Sequence, residues 1–191
     1  MKKKVKNFFL LLFFACTTNL FSQPPKLNTK VSYGNFTQDQ FFKVKSQVIP
    51  STSSRGEVKS KGALFISFNR PVSGFILAGA ALGTNKLVSD IISNNQKTGI
   101  LNRTLFTLAI ESDIIYFKSE NVQLYAVLGY GYTLGKDEYF FDTGETGSGF
   151  IGFMAFQVSP VSIKVGNRFG LFAETGFGYK GIINFGFTYN F

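Results

Sequence analysis

Along residues 182–191 (IINFGFTYNF) apolar and aromatic side chains recur at every second position. Ile183, Phe185, Phe187, Tyr189 and Phe191 fall on one face, and Ile182, Asn184, Gly186, Thr188 and Asn190 on the other. A period of two belongs to a β-strand, whose successive side chains point to opposite sides. The aromatic face runs to the final residue, where a chain ordinarily frays into solvent. A strand that turns this face toward lipid and ends in interfacial aromatics accounts for the pattern. Ten residues at about 3.3 Å each, tilted by roughly 40°, span about 25 Å, the height of the apolar band of a membrane barrel.

The same alternation recurs upstream. Residues 61–69 place Leu64, Ile66 and Phe68 together, and residues 103–117 set Phe106, Leu108, Ile110, Ile114 and Tyr116 opposite Arg103, Thr107, Ala109, Glu111 and Asp113. Residues 122–134 put Leu124, Ala126, Leu128, Tyr130 and Tyr132 on one side and Gln123, Tyr125, Gly129, Gly131 and Thr133 on the other. The small residues of 73–84 (SGFILAGAALGT) suit a strand packed closely inside a narrow barrel. Strands are also expected at 41–49, 149–166 and 169–178. The faces of 149–166 agree only if a bulge at Ser159 and Pro160 flips the register.

These eight strands are joined by connections of alternating length: long at 50–60, 85–102 and 135–148, short at 69–72, 118–121 and 167–168. The connection at 179–181 departs from the alternation by being short. Leu87, Val88, Ile91 and Ile92 in the second long connection have helical spacing and suit one or two amphipathic turns. The expected architecture is all-β: an up-and-down, eight-stranded antiparallel transmembrane β-barrel with short periplasmic turns and longer external loops. The barrel domain occupies 41–191, preceded by a lead-in at 23–40. Tyr116 and Phe117 are expected at one rim, Tyr130 and Tyr132 at the other.

The start of the chain reads as an export leader. Lys2, Lys3, Lys4 and Lys6 precede a short apolar run, and Ser22 before Gln23 offers a small residue at a cleavage point, so residues 1–22 have the form of a signal peptide. The apolar run is well short of the roughly 20 residues that a spanning helix needs. Cleavage takes the formal charge from +9 to +5, four lysines fewer, and leaves lysines scattered with no dense basic run. Nucleic-acid binding is therefore not expected. Cys16 is the single cysteine and lies in the leader. The residues before it, Phe13, Phe14 and Ala15, match a lipidation site poorly, and the mature chain has neither disulfides nor thiolate ligands.

Candidate chemistry is sparse. The chain has no histidine, so the usual base for a serine nucleophile is missing. A carboxylate pair drawn from Glu111, Asp113 and Glu174 is the remaining catalytic option. The favoured alternative is a lumen charge network in which these three are matched by Arg103 and Lys164, since buried charges persist only when paired. Eight strands leave an interior just filled by side chains, so a general porin is not expected. Asp137, Glu138, Asp142 and Glu145 lack a recognisable Ca²⁺-ligand pattern and read as a solvated acidic loop. Gly144, Gly147 and Gly149, and Gly176, Gly178 and Gly181, open no helix after a parallel strand and so read as barrel glycines. No catalytic residues, cofactor or metal are expected.

Residues 159–191, SPVSIKVGNRFGLFAETGFGYKG followed by INFGFTYNF with one isoleucine between, together with a leader ending in FSQ, resemble the small outer-membrane β-barrel proteins of Bacteroidota. These are barrels of the eight-stranded OmpX/OmpA-like kind. The resemblance implies location in the cell outer membrane, contact with outer-membrane lipid and lipopolysaccharide, and insertion by the barrel-assembly machinery. In that machinery's reading, Phe187, Tyr189 and Phe191 form the C-terminal assembly signal. Three functions stay open: a structural or surface-interaction barrel without catalysis, a lipid-modifying or narrow-channel barrel, and a soluble periplasmic lipocalin-like ligand binder with its faces inverted.

Overall fold

The computed structural model describes residues 27–42 and 53–191. Residues 1–22, expected as a leader and containing Cys16, lie outside the described residues. Eight strands form a closed barrel in chain order: β1 (Asn28–Asn35), β2 (Ser53–Pro71), β3 (Ile76–Ser93), β4 (Gln96–Lys118), β5 (Val122–Phe141), β6 (Thr146–Val165), β7 (Phe169–Gly178) and β8 (Ile183–Asn190). Each pairs antiparallel with its neighbour, and β1 closes the ring on β8 with Asn28 opposite Asn190 and Asn35 opposite Ile183. A short helix, α1 (Gln38–Phe42), follows β1.

The alternation sorts the side chains as its period requires. Along β4, Arg103, Leu105, Thr107, Ala109, Glu111 and Asp113 are buried inside, while Phe106, Leu108 and Ile110 are exposed outside. Leu64, Phe68, Leu128, Tyr130, Tyr132, Phe185 and Phe187 are likewise exposed. The bulge at Ser159 and Pro160 is present: the register of β6 shifts against β5 between Tyr125 and Val127, and against β7 between Val158 and Val161. Ile151, Ala155, Gln157 and Ser159 face inward before it, Ser162 and Lys164 after it.

Four expectations are corrected. The first strand is Asn28–Asn35, within the expected lead-in. Phe41 and Phe42 belong to α1, and residues 43–49 lie outside the described residues. The long connections at 85–102 and 135–148 are mostly paired strand. β3 and β4 meet at a two-residue turn in which Asn94 and Asn95 take φ of 50° and 60°, the left-handed pair that matches hairpin twist. β5 likewise runs to Phe141, so Tyr130 and Tyr132 sit in mid-strand rather than at its end. Finally, the helical spacing of Leu87 and Ile91 is also a strand spacing, because positions i and i+4 share a face in both; both residues point inward in β3.

The barrel has two unlike ends. The termini end carries Asn28, Asn190 and the connections 72–75, 119–121 and 166–168. The opposite, hairpin end is uneven, because β2 to β6 hold 18 to 23 residues whereas β7, β8 and β1 hold 8 to 10. Among the described residues, β6 has no strand partner on that side beyond the Gln157–Gly178 pair, and β2 has none beyond the Ala63–Gly34 pair.

At the β6 side of this gap α1 takes over the edge. The Gln38 amide donates to the Met154 carbonyl (3.5 Å) and accepts from the Phe156 N–H (3.3 Å), standing in for a neighbouring strand's peptide. Ahead of the helix the Thr37 N–H donates to the Gln40 side chain (3.0 Å), one half of a capping box, while the Thr37 hydroxyl accepts from Asn85 (2.9 Å). Phe41 and Phe42 turn outward and pack with Phe156 and Phe177 at ring separations of 5.5–6.2 Å.

Burial pushes the Asp39 carboxyl in α1 up to about 6 against the pull of Arg103 and Arg55. A raised acid favours the folded form when protonated, so the docked helix loses stability as pH rises from about 4 to about 6. Amide exchange at residues 37–42 is expected to be slower at pH 5 than at pH 7, after correction for intrinsic rates. Asp39→Asn is expected to abolish the difference; an unchanged difference in that variant would refute the assignment.

Candidate functional site: the charged lumen

The interior is layered. Toward the hairpin end Leu87, Leu105 and Ile151 pack with Val58 and Phe153. A second layer joins Ala63, Phe65, Ala81, Ala109, Ala155 and Tyr179, in which the Phe65 and Tyr179 rings lie 5.2 Å apart. The bulky rings fit because the wall around them is small: a Cβ on Gly83 would run into the Phe65 ring, and one on Gly129 into the Tyr179 hydroxyl. The lumen is thus occluded by apolar side chains as well as charged ones.

Below this layer lies the charge cluster. Lys30 from β1 reaches Asp113 on β4 (2.7 Å) and Glu174 on β7 (3.2 Å), and its ammonium sits 4.4 Å from the Tyr125 ring centroid. Asp113 also accepts from Asn69 (3.1 Å). Glu174 accepts from the Tyr125 hydroxyl (3.0 Å) and from Asn184 (2.8 Å). Lys180, in the β7–β8 connection, pairs with Glu111 (2.7 Å) and lies 3.8 Å from Glu174. Tyr179 donates to Glu111 at 2.6 Å.

Lys180 is only 1% exposed although it lies in a connection. The reason is the uneven rim: β7 and β8 stop short, so their connection folds across the lumen instead of standing above it. Gly34 lies beneath this crossing, and a Cβ there would collide with the Lys180 carbonyl. Gly34→Leu is therefore expected to displace the connection and break the Lys180–Glu111 pair. Loss of the folded band on unheated gels, or collapse of Lys180 side-chain protection, would register it; an unperturbed Lys180 would refute it.

The residues that the sequence pattern singles out divide three ways. Glu111, Asp113 and Glu174 converge as one cluster. Arg103 does not join it but forms a bidentate pair with Asp137 toward the hairpin end (2.6 and 2.7 Å), both side chains fully buried. Asp137 is consequently a lumen residue and not part of a solvated loop. Lys164 is inward-facing but makes no ion pair within 4.0 Å among the described residues. Lys30 and Lys180, the two cations at the centre of the cluster, escape the sequence pattern altogether. Phe187 and Phe191 are exposed on the outer face, and Tyr189 packs edge-on against Phe191 at 4.7 Å.

No family model matches the chain, and no curated protein matches it by sequence. Among solved structures it is similar to Ail, the attachment invasion locus protein of Yersinia pestis, with 11% identity and a TM-score of 0.46. The match covers 87% of this chain and 97% of Ail. It is also similar to the same protein in complex with the heparin analogue sucrose octasulfate, with 12% identity, a TM-score of 0.42 and the same coverage.

Proposed function

We propose that this chain is an integral outer-membrane β-barrel with a structural or surface-interaction role and no catalytic activity. The observation that carries the reading is the sorting of faces: paired ions inside and a continuous apolar surface outside, the reverse of a water-soluble barrel. In this reading the aromatic and aliphatic outer surface meets lipid, including lipopolysaccharide. Residues 1–22 direct export, and Phe187, Tyr189 and Phe191 are presented to the barrel-assembly machinery. The Bacteroidota origin rests on the resemblance of residues 159–191. A soluble lipocalin-like carrier would need the apolar residues within, and the exposure of Leu128, Phe185 and Phe187 speaks against it.

The acids open to a catalytic reading are committed to internal pairs: Glu111 to Lys180 and Tyr179, Glu174 to Lys30, Tyr125 and Asn184. The Phe65–Tyr179 layer supports a closed lumen. Planar bilayers containing the protein are expected to stay electrically silent, and a steady ohmic current would reject the closed-lumen reading.

Cell fractionation tests the proposal most directly. The protein is expected in the outer-membrane fraction, extractable only with detergent, with faster gel mobility before boiling than after. Recovery as a soluble protein without detergent would overturn it.

A further inference from the structure

The termini end of the lumen opens into a cavity of about 400 Å³. Its charged lining consists of Lys30, Asp113, Lys118, Glu120, Lys164 and Arg168. Lys30 and Asp113 pair with each other at 2.7 Å, which leaves Lys118, Lys164 and Arg168 with Glu120 as the other side-chain carboxylate of the wall. Lys164 is the telling member. The residue is 7% exposed and lines the cavity, and its ammonium has no hydrogen bond or ion pair among the described residues. Its ammonium opens onto the cavity without a paired carboxylate, which makes it a contact for an anion.

Asp113 Oδ1 and Asn28 Oδ1, of two residues in the cavity wall, have no hydrogen-bond partner but are sealed from solvent, so they offer no contact to a solute. The site therefore offers cations for an oxyanion within a volume suited to a small solute.

We propose that this cavity binds a small phosphate monoester, with Lys164 as the central phosphate contact and Lys118 and Arg168 closing on it from the rim. Arg168 brings a planar fork suited to phosphate, and Lys164 a point charge. The inference concerns the inside of the barrel and is independent of the role proposed above.

The test uses the refolded full chain in nanodiscs of zwitterionic lipid, titrated with glycerol 3-phosphate and followed by amide NMR, against sodium chloride at matched ionic strength. Saturable shifts confined to the neighbourhood of Gln123, Lys164 and Gly166 are expected, with orthophosphate binding more weakly. Lys164→Met is expected to lower affinity at least tenfold. Should that variant fail to fold, the rim pair Lys118→Gln with Arg168→Gln is expected to lower it severalfold. The same shifts on adding phosphatidic acid, whose headgroup is itself a phosphate monoester, without solute, would support the chemistry and assign the ester to a lipid headgroup. Shifts that do not saturate and match those in chloride, or affinity unchanged in the variants, would overturn the proposal.

Discussion

Replacing Lys30 with methionine is expected to destabilise the barrel by about 3–5 kcal/mol, the cost typical of removing one partner from a buried ion cluster. The substitution nearly preserves volume, so the effect reports charge. Without the ammonium, Asp113 keeps only its Asn69 donor, and Glu174 must rely on Tyr125, Asn184 and a lysine 3.8 Å away. Urea unfolding of the protein in lipid vesicles, followed by circular dichroism and the unheated gel band, measures the loss. Neutralising the stranded acids as well, with Asp113→Asn and Glu174→Gln, is expected to recover most of it. A loss under about 1 kcal/mol for the single variant would show that water enters the cluster and screens it, contrary to the burial of all three groups.

The second large effect is expected on the outer surface. Phe187 is 55% exposed on β8, between Leu171 of β7 and Val31 of β1, both also exposed. Phe187→Arg places a charge in this apolar strip and is expected to cost about 2–4 kcal/mol in a bilayer, the range for arginine near the midplane of a membrane barrel. The effect should shrink in a micelle, where the side chain bends more readily to water. Equal stability of Phe187→Arg and the parent in vesicles would contradict a lipid-facing Phe187 and, with it, the membrane reading.

How much of this is legible from sequence depends on which face of each strand carries information. In β4, β5 and β8 the outward positions are long runs of aliphatic and aromatic residues, so period two is plain and both faces follow. The bulge in β6 is legible for the same reason: Phe150, Ile151, Phe153, Met154 and Phe156 cannot alternate in one register with Ile163 and Val165. β1 is not. Its inward face is Asn28, Lys30, Ser32 and Gly34, and only Val31 and Tyr33 mark the outward one, so composition alone reads it as polar connection.

The charge cluster is half legible on related grounds. Strand parity places Glu111, Asp113 and Glu174, but it cannot reach Lys180, which lies in a connection, or Lys30, whose strand is hidden by its composition. Arg103 shares the inner face of β4 with Thr107, Ala109 and Glu111, and parity says nothing about depth; an apolar layer separates it from the acids it was expected to meet. One signal is available. Three inward acids outnumber Arg103 and Lys164 by one, so at least one further cation must face inward. The hairpin end misleads for another reason: outside an apolar band the outward side chains of a strand become polar, and Lys86, Asp90, Asn102 and Lys136 then imitate a loop.

The unequal strand lengths bear on how the cylinder comes together. Every pairing from β2 through β6 joins chain neighbours through connections of two to four residues, so these contacts close small loops and need no distant partner. Ring closure is different: Asn28 must find Asn190 from the far end of the polypeptide, and only eight residues of β1 are then zipped against β8. The longest search is thus rewarded by one of the shortest zippers. Formation of the β2–β6 meander is expected to come first and joining of β1 to β8 last, with the same seam parting first on denaturation.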